Sequence, residues 1–556
     1  MPFRWKSYAT KDSSALMQKV ADVESDGGEV SFTTDVSDPS SDKDLESEVE
    51  EDDTSPPRKK NRGTGMNEAG SSFTARDGSV WVQQEARRQS EEVHGSSFTG
   101  RAGPTEYAKR KVCSVLQSFL CLIDIGMLLT IRECTVQQAR RTDPNWNLSH
   151  NELMAFISVL FAKAVMCQVG AMVDCWSENF LIPAVKETMS RDRFTSIMAN
   201  LRFDTKDTRA ERVKTDKFAA MSDVWSRFTK NCAASFSPGQ HITVDRQLFP
   251  TKVHCPFTKL VTGKPNKVGI EFWMATDLET KYVCNAVPYL GKDPSRPRGE
   301  LSEKVAMRLV EPFLDAGRNV TTDSFFTSLS LAHRLLQRNT TLLGTMTKGR
   351  RELPPPARDA AAREQFSTSV FKSGSVSLTV YAPTKKKTVF VLSSMHQHVV
   401  TGDDGKNKPN TITDYNYMKS GGDDAEQVAR KYSVRTATRR WPVAVFYNML
   451  DLAAANAYVL YKACTGSTDT RRLFLHHLAM ELRSGFMREK ASAAAADTTA
   501  ATAAAAALHN LPNWTTQCQV RKNCNRNRSR FCCVKCHRYT CAKCREHENW
   551  VCEECK

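Results

Sequence analysis

Three carboxylates and a run of cysteines are the residues whose types and spacing point to chemistry. Asp245 sits in the β-branched, apolar run His241-Ile242-Thr243-Val244-Asp245-Arg246-Gln247-Leu248-Phe249-Pro250-Thr251-Lys252, which follows Pro238-Gly239 and predicts a strand over Ile242–Leu248. A carboxylate buried there costs several kcal/mol unless a cation or hydrogen bonds compensate. Alone, it would be an Asp at a strand end. Asp323 ends a second short strand, Asn319-Val320-Thr321-Thr322-Asp323, and Asp423, in Tyr415–Gln427, opens a predicted helix. Two carboxylates on strand ends and one on a helix are what a pair of Mg²⁺ ions needs, because hard cations take oxygen ligands. Two such ions about 3.5–4 Å apart clamp the attacking and leaving oxygens of phosphoryl transfer.

The second constellation is at the C-terminal end. Cys518 and Cys524 are separated by five residues, and Cys533/Cys536, Cys541/Cys544 and Cys552/Cys555 by two each, with His547 nearby. Two cysteines three apart turn both thiolates to one tetrahedral Zn²⁺, so four pairs make two structural zinc sites, interleaved as in RING-like folds. Disulfides are the alternative, disfavoured in an intracellular chain. Cys532 is left as a spare. Arg521, Lys522, Arg526, Arg528, Arg530, Lys535 and Arg538 (with Lys543 and Arg545) make the same tail a phosphate-binding surface.

Charge points the same way. The 556 residues carry a net charge of +16, but residues 22–53 hold fourteen Asp/Glu against one Lys, leaving +29 elsewhere. The sequence pI is about 9.1. A basic body of this kind suggests a polyanionic partner, most simply nucleic acid, with a merely soluble basic surface the equal alternative. No 18-residue apolar run and no secretory leader are visible, so neither a membrane nor secretion is expected; no small-molecule substrate is indicated.

The elements that must position these residues follow in order. Residues 1–104 lack any period and are expected to be disordered, with Pro56-Pro57-Arg58-Lys59-Lys60-Asn61-Arg62 a candidate nuclear import signal. From 105 to 240 the pattern is helical, as in Val112-Leu116-Phe119-Leu120 and Leu153-Phe156-Ile157-Leu160-Phe161. Residues 241–347 predict β-β-β-α-β-α-β: after the first strand, Val268–Ala275, Tyr282–Val287, a helix Ser302–Leu314 capped by Gly317, the strand to Asp323, a helix Leu329–Leu336, and Thr340–Met346. Residues 348–376 are irregular, and strands resume at Val376–Ala382 and Thr388–Ser394. Lys385-Lys386-Lys387 and Lys406–Lys408 are basic turns. Trp441, Val443, Phe446, Met449, Leu450, Leu452 and Ala455 line a helix, and the Ala/Thr run 491–507 is a linker.

Taken together, these blocks resemble the piggyBac transposases. Further landmarks are Glu187–Phe194, Leu201-Arg202-Phe203-Asp204, Asn266-Lys267-Val268-Gly269-Ile270 and Arg440-Trp441-Pro442. The resemblance implies a mixed α/β fold: an RNase H-like core with an Asp-Asp-Asp triad (241–432, insertion about 348–410), set in a split helical dimerisation and DNA-binding domain (105–240 and 433–490). A linker (491–509) then leads to a cross-braced, RING-like zinc domain (510–556). It also implies two catalytic Mg²⁺ ions, a homodimer, recognition of transposon terminal repeats, hairpin ends and TTAA targets. An ungapped fit places Asp423 in the third catalytic slot, ahead of Asp424, with Glu426 and Gln427 following. The family often has Cys-x2-His in the tail, so His547 is an alternative ligand to Cys541 or Cys544. Arg246 and Ser324 depart from the Glu and Asn usual after the first two acids. A domesticated DNA-binding protein without transposition is therefore the second reading, and a chromatin reader or ubiquitin ligase built on the tail a third.

Overall fold

Three parallel strands lie at the middle of the fold: β3 (His241–Pro250), β7 (Asn319–Thr322) and β8 (Thr341–Met346), with β7 between the other two. The structure, a computed structural model, describes residues 70–88, 98–166, 172–177, 182–253, 255–260, 268–291, 298–359, 363–385, 387–402, 405–497, 515–529, 533, 536, 538–544 and 552–555. Val320, Ile242, Val244 and Leu342 are all buried, as strands covered on both faces require. A parallel pair needs a crossover, and α8 (Leu329–Leu336) supplies it between β7 and β8, its N-terminus capped by Ser328. On the far side of β3, β5 (Val268–Asp277) runs antiparallel and carries β4 (Thr258–Leu260) and β6 (Val283–Pro288). On the far side of β8 come β11 (Lys387–Ser393), β10 (Val376–Thr384) and β9 (Thr368–Ser373), all antiparallel, and then the hairpin β1 (Ser72–Thr74) and β2 (Val80–Gln84). The sheet order is β1-β2-β9-β10-β11-β8-β7-β3-β5-β4, with β6 on β5.

Helices precede and follow the sheet in the chain. The first group includes α1 (Val115–Leu120), α2 (Ile125–Ala139), α3 (His150–Met166), α4 (Arg191–Asn200), α5 (Lys206–Thr215) and α6 (Ser222–Ser235). The second is α9 (Asn410–Lys431), α10 (Trp441–Thr465) and α11 (Arg471–Asp497), while α7 (Arg298–Val310) lies between β6 and β7. The groups pack together, α11 along α3 and α10 against α1. α10 is long and apolar enough to cross a membrane, but 89% of that stretch is buried inside the protein, so it is a core helix. Its Asn456 imitates a strand, accepting from Val283 N and donating to Val283 O, both at 2.8 Å. Arg440 donates to the carbonyls of Met198 (2.8 Å), Ala199 (3.1 Å) and Leu201, satisfying groups that the end of α4 leaves unpaired. Asp204 takes Arg209 and Arg212 of α5 at 2.5 and 2.6 Å. Two of the sequence landmarks are thus one structural joint.

Several expectations change. Residues 70–88 are not disordered: β1 and β2 extend the sheet around the turn at Asp77-Gly78, where Gly78 has φ +90°. Trp81 anchors them, fully buried, with Nε1 donating to Glu352 O at 2.9 Å. Residues 1–69, including the basic cluster, lie outside the described residues. β9 to β11 continue the main sheet, and β9 occupies part of the stretch read as irregular. α7 stops at Val310 and passes into a 3₁₀ turn, because Pro312 brings no N–H to continue the ladder. α11 runs to Asp497, into the expected linker, whose remainder is outside the described residues.

Candidate active site and cysteine clusters

The parallel register pairs Val244 with Thr322, so the next residues, Asp245 and Asp323, lie side by side; Asp323 follows the last residue of β7, but Asp245 is not at a strand end, because β3 continues along β5 to Pro250. Asp323 is nearly buried, and its Oδ1 accepts the N–H groups of Phe325 (3.1 Å) and Phe326 (3.4 Å) in a tight turn. Its carbonyl takes the Thr327 hydroxyl at 2.7 Å. Ser324, the departure noted above, offers its carbonyl to Arg350 at 2.9 Å. Asp245 is half-buried and accepts its neighbour's N–H, from Arg246, at 2.7 Å.

The third position reaches this pair on α9. Asp423 does not open that helix; it lies in the interior, thirteen residues after Asn410. Two consecutive glycines weaken a helix by about 1 kcal/mol each relative to Ala, which is why the sequence suggested a boundary there. The structure shows what they allow. A Cβ on Gly422 would lie 2.8 Å from Asp245 Oδ2, and one on Gly421 3.0 Å from Thr243 Oγ1. Only bare backbone lets α9 come this close to β3. Thr243 Oγ1 donates to Met418 O at 2.8 Å and fixes the contact. The side chains of Asp423, Asp424 and Glu426 lie outside the described residues.

Sequence reasoning missed the groups that seat α9. His396 bonds Ser393 Oγ through Nδ1 (2.7 Å) and Asp414 through Nε2 (2.8 Å), tying the first turn of α9 to the end of β11. This Ser-His-Asp order resembles a hydrolytic triad. Ser393 is fully buried, however, and its Oγ accepts the N–H groups of Met395 and His396, so it fastens a turn. Tyr415, on the same helix, meets Thr345 Oγ1 at 3.2 Å, and burial pushes its phenol up. No motif marked either residue.

A cation already touches the carboxylate pair. Arg246 Nη2 lies 2.8 Å from Asp323 Oδ2, and its guanidinium sits 5.7 Å from the Phe325 ring. Burial pulls Arg246 down, but Asp323, Glu271 and Asp245 outweigh it and raise it above the usual arginine value. Carboxylates that hold a positive group in this way are the donor set a divalent oxygen-loving ion would take.

The tail cysteines form two clusters of four. Cys518, Cys524, Cys541 and Cys544 are one, and Cys533, Cys536, Cys552 and Cys555 the other; in each, the sulfurs lie within 4.8 Å of one another. Pairs one and three, and two and four, come together, the interleaving that was expected. Backbone N–H groups aim at the sulfurs, Asn523 at Cys544 (3.3 Å), Cys541 at Cys518 (3.4 Å) and Cys552 at Cys533 (3.2 Å); each contact favours a thiolate, although burial outweighs it at Cys544 and pushes that thiol up. Eight thiols in two tetrads fit two zinc ions. His547, Cys532, Arg530 and Lys535 lie outside the described residues. Arg521, Lys522, Arg526 and Arg528 are exposed, while Arg538 is turned to Glu554.

A family model described as Transposase IS4 matches residues 115–458, more than half of the chain. The chain belongs to the piggyBac-type transposase family. A solved structure, titled as a cryo-EM structure of the piggyBac transposase synaptic complex with hairpin DNA, is similar at 26% identity with a TM-score of 0.67. The match covers 82% of this chain and 100% of that one. The family match spans both strand carboxylates and the α9 glycines of this transposase, and ends before its cysteine tail.

Proposed function

We propose that this chain is a cut-and-paste DNA transposase in which Asp245, Asp323 and Asp423 hold two Mg²⁺ ions within an RNase H-like core. The observation that carries this is adjacency: Asp245 within β3 and Asp323 just past the end of β7 lie side by side on neighbouring parallel strands, and Gly422 brings α9 into contact with Asp245. When bound, the ions would activate the nucleophile, water or a DNA 3′-hydroxyl, and offset charge on the phosphate. The protein's own part is positional. The turn at Asp323 fixes one carboxylate, and the glycines let the helix that bears the third acid approach Asp245. The reaction read from the family is nicking, hairpin formation and strand transfer into TTAA, on double-stranded DNA carrying terminal repeats, by a homodimer in the nucleus. The solved relative's hairpin DNA supports this reading. The tail, with two structural zinc ions, would recognise the transposon ends; metal analysis of the full chain should find about two zinc equivalents.

One observation favours the second reading, a DNA-binding protein without transposition: Arg246 is bonded to Asp323. Strand cleavage on DNA carrying the element's own ends, with Mg²⁺ and without, separates the two. Metal-dependent nicking at the ends is expected, and end binding with no nicking at any Mg²⁺ concentration would leave only the second.

A further inference from the structure

We infer that Arg246 is a resident counter-cation that competes with divalent metal for Asp323, so that metal loads only when the guanidinium leaves. The inference rests on the reading of Asp245 and Asp323 as metal ligands. Three features carry it. The Arg246–Asp323 bond is short, 2.8 Å, and engages Oδ2, the oxygen that the N–H groups of Phe325 and Phe326 leave open. A metal ion at Asp323 needs that oxygen. The pair is also sheltered on the Asp323 side, whose side chain is 9% exposed, so solvent screens the contact little. Finally, the grip on Arg246 is incomplete. Its Nε is buried without a hydrogen-bond partner, and its side chain is 36% exposed. The guanidinium also lies beside Phe325, itself 37% exposed, on the open side of the pair.

A guanidinium beside the carboxylate opposes an incoming ion twice, by occupying a ligand oxygen and by like-charge repulsion. Removing it should tighten metal binding even though the ligands are untouched. This marks Arg246 as a positioning residue for Asp323 in the free enzyme.

The test is Mn²⁺ binding to the full-length, zinc-containing protein without DNA, counted from the paramagnetic signal of free Mn²⁺. Arg246→Gln should tighten Mn²⁺ by about tenfold, the scale of one charge-assisted contact. Arg246→Glu should tighten it further, and Arg246→Lys should stay near the starting affinity. Thermal melting of each variant confirms folding. Asp245→Asn, made in both backgrounds, separates the two layers of the argument. If it leaves Mn²⁺ binding unchanged, the carboxylates are not the metal site and the proposed function fails. If it abolishes binding while Arg246→Gln has no effect or weakens it, only the competition is overturned.

Discussion

Asp323 is held on both oxygens, by backbone N–H groups on Oδ1 and by Arg246 on Oδ2, so its orientation is set before any ion arrives. Asp245 has a different restraint: the backbone of α9 lies against its carboxylate. Substituting Asn for either keeps the shape and removes the charge that would hold Mg²⁺. Asp245→Asn, Asp323→Asn and Asp423→Asn should each abolish strand cleavage, because the ions that would activate the nucleophile lose a ligand, and leave DNA binding and melting temperature nearly unchanged. Asp424→Asn should retain most activity. Cleavage assays beside a DNA-binding titration check this. An active Asp423→Asn with a dead Asp424→Asn would move the third ligand by one residue.

The glycines of α9 belong to the scale of the element, because their effect is on where a whole helix can lie. In Gly422→Ala the new methyl meets Asp245 at 2.8–2.9 Å, and neither the strand nor the carboxylate can retreat freely. Overpacking of this kind costs about 1–3 kcal/mol. Cleavage should fall by more than tenfold while DNA binding holds; a fully active Gly422→Ala would show that α9 need not approach β3. How far the elements were legible follows from such cases. α8 was read to the residue, since Ser328 caps it and Leu329, Leu331, Ala332 and Leu335 form one buried face. The strands bearing Asp245 and Asp323 were legible from β-branched runs. The start of α9 was not, because the glycine pair reads locally as a breaker and its compensating contact with β3 is 177 residues away in the chain. The β1–β2 hairpin was hidden by its polar surroundings, although Asp77-Gly78 between Phe73 and Val80-Trp81-Val82 is a hairpin signal. Buried acids at the helix joints give a second test. Burial pushes Asp451 on α10 and Glu481 on α11 up to about 7, despite hydrogen bonds to Val434 and Leu116. Both bind protons more tightly folded than unfolded. Their contribution to stability is full below about pH 4, the unfolded range, and is lost as pH rises to about 7. Each accounts for on the order of 3 kcal/mol. Urea midpoints across pH 4–8 should show Asp451→Asn losing less stability with rising pH than the parent; parallel curves would remove this account.

At the scale of the molecule, the tail is docked, not merely tethered. Gln117 Nε2 donates to Cys536 O at 3.1 Å, and Gln519 Nε2 to Cys113 O at 2.7 Å, so two amides join the cysteine module to the start of α1. The same helix receives Glu481 at Leu116 N and packs on α10 and α11, so the tail rests on the joint between the two helical groups. Yet two neutral hydrogen bonds contribute only about 1–3 kcal/mol together, a grip that DNA contacts can replace. The exposed Arg521, Lys522, Arg526 and Arg528 are placed to make those contacts. Deleting residues 510–556 should therefore weaken binding to transposon ends far more than binding to random DNA. It should leave the sheet carboxylates folded, since no described tail residue belongs to that core. The binding that remains should fall steeply with salt, because it would rest on Lys and Arg against phosphate. Paired titrations of end and scrambled DNA, full-length against truncated protein at matched salt, measure the difference. If truncation lowers both affinities by the same factor, the tail is a general phosphate clamp and the ends are read by the helical layer.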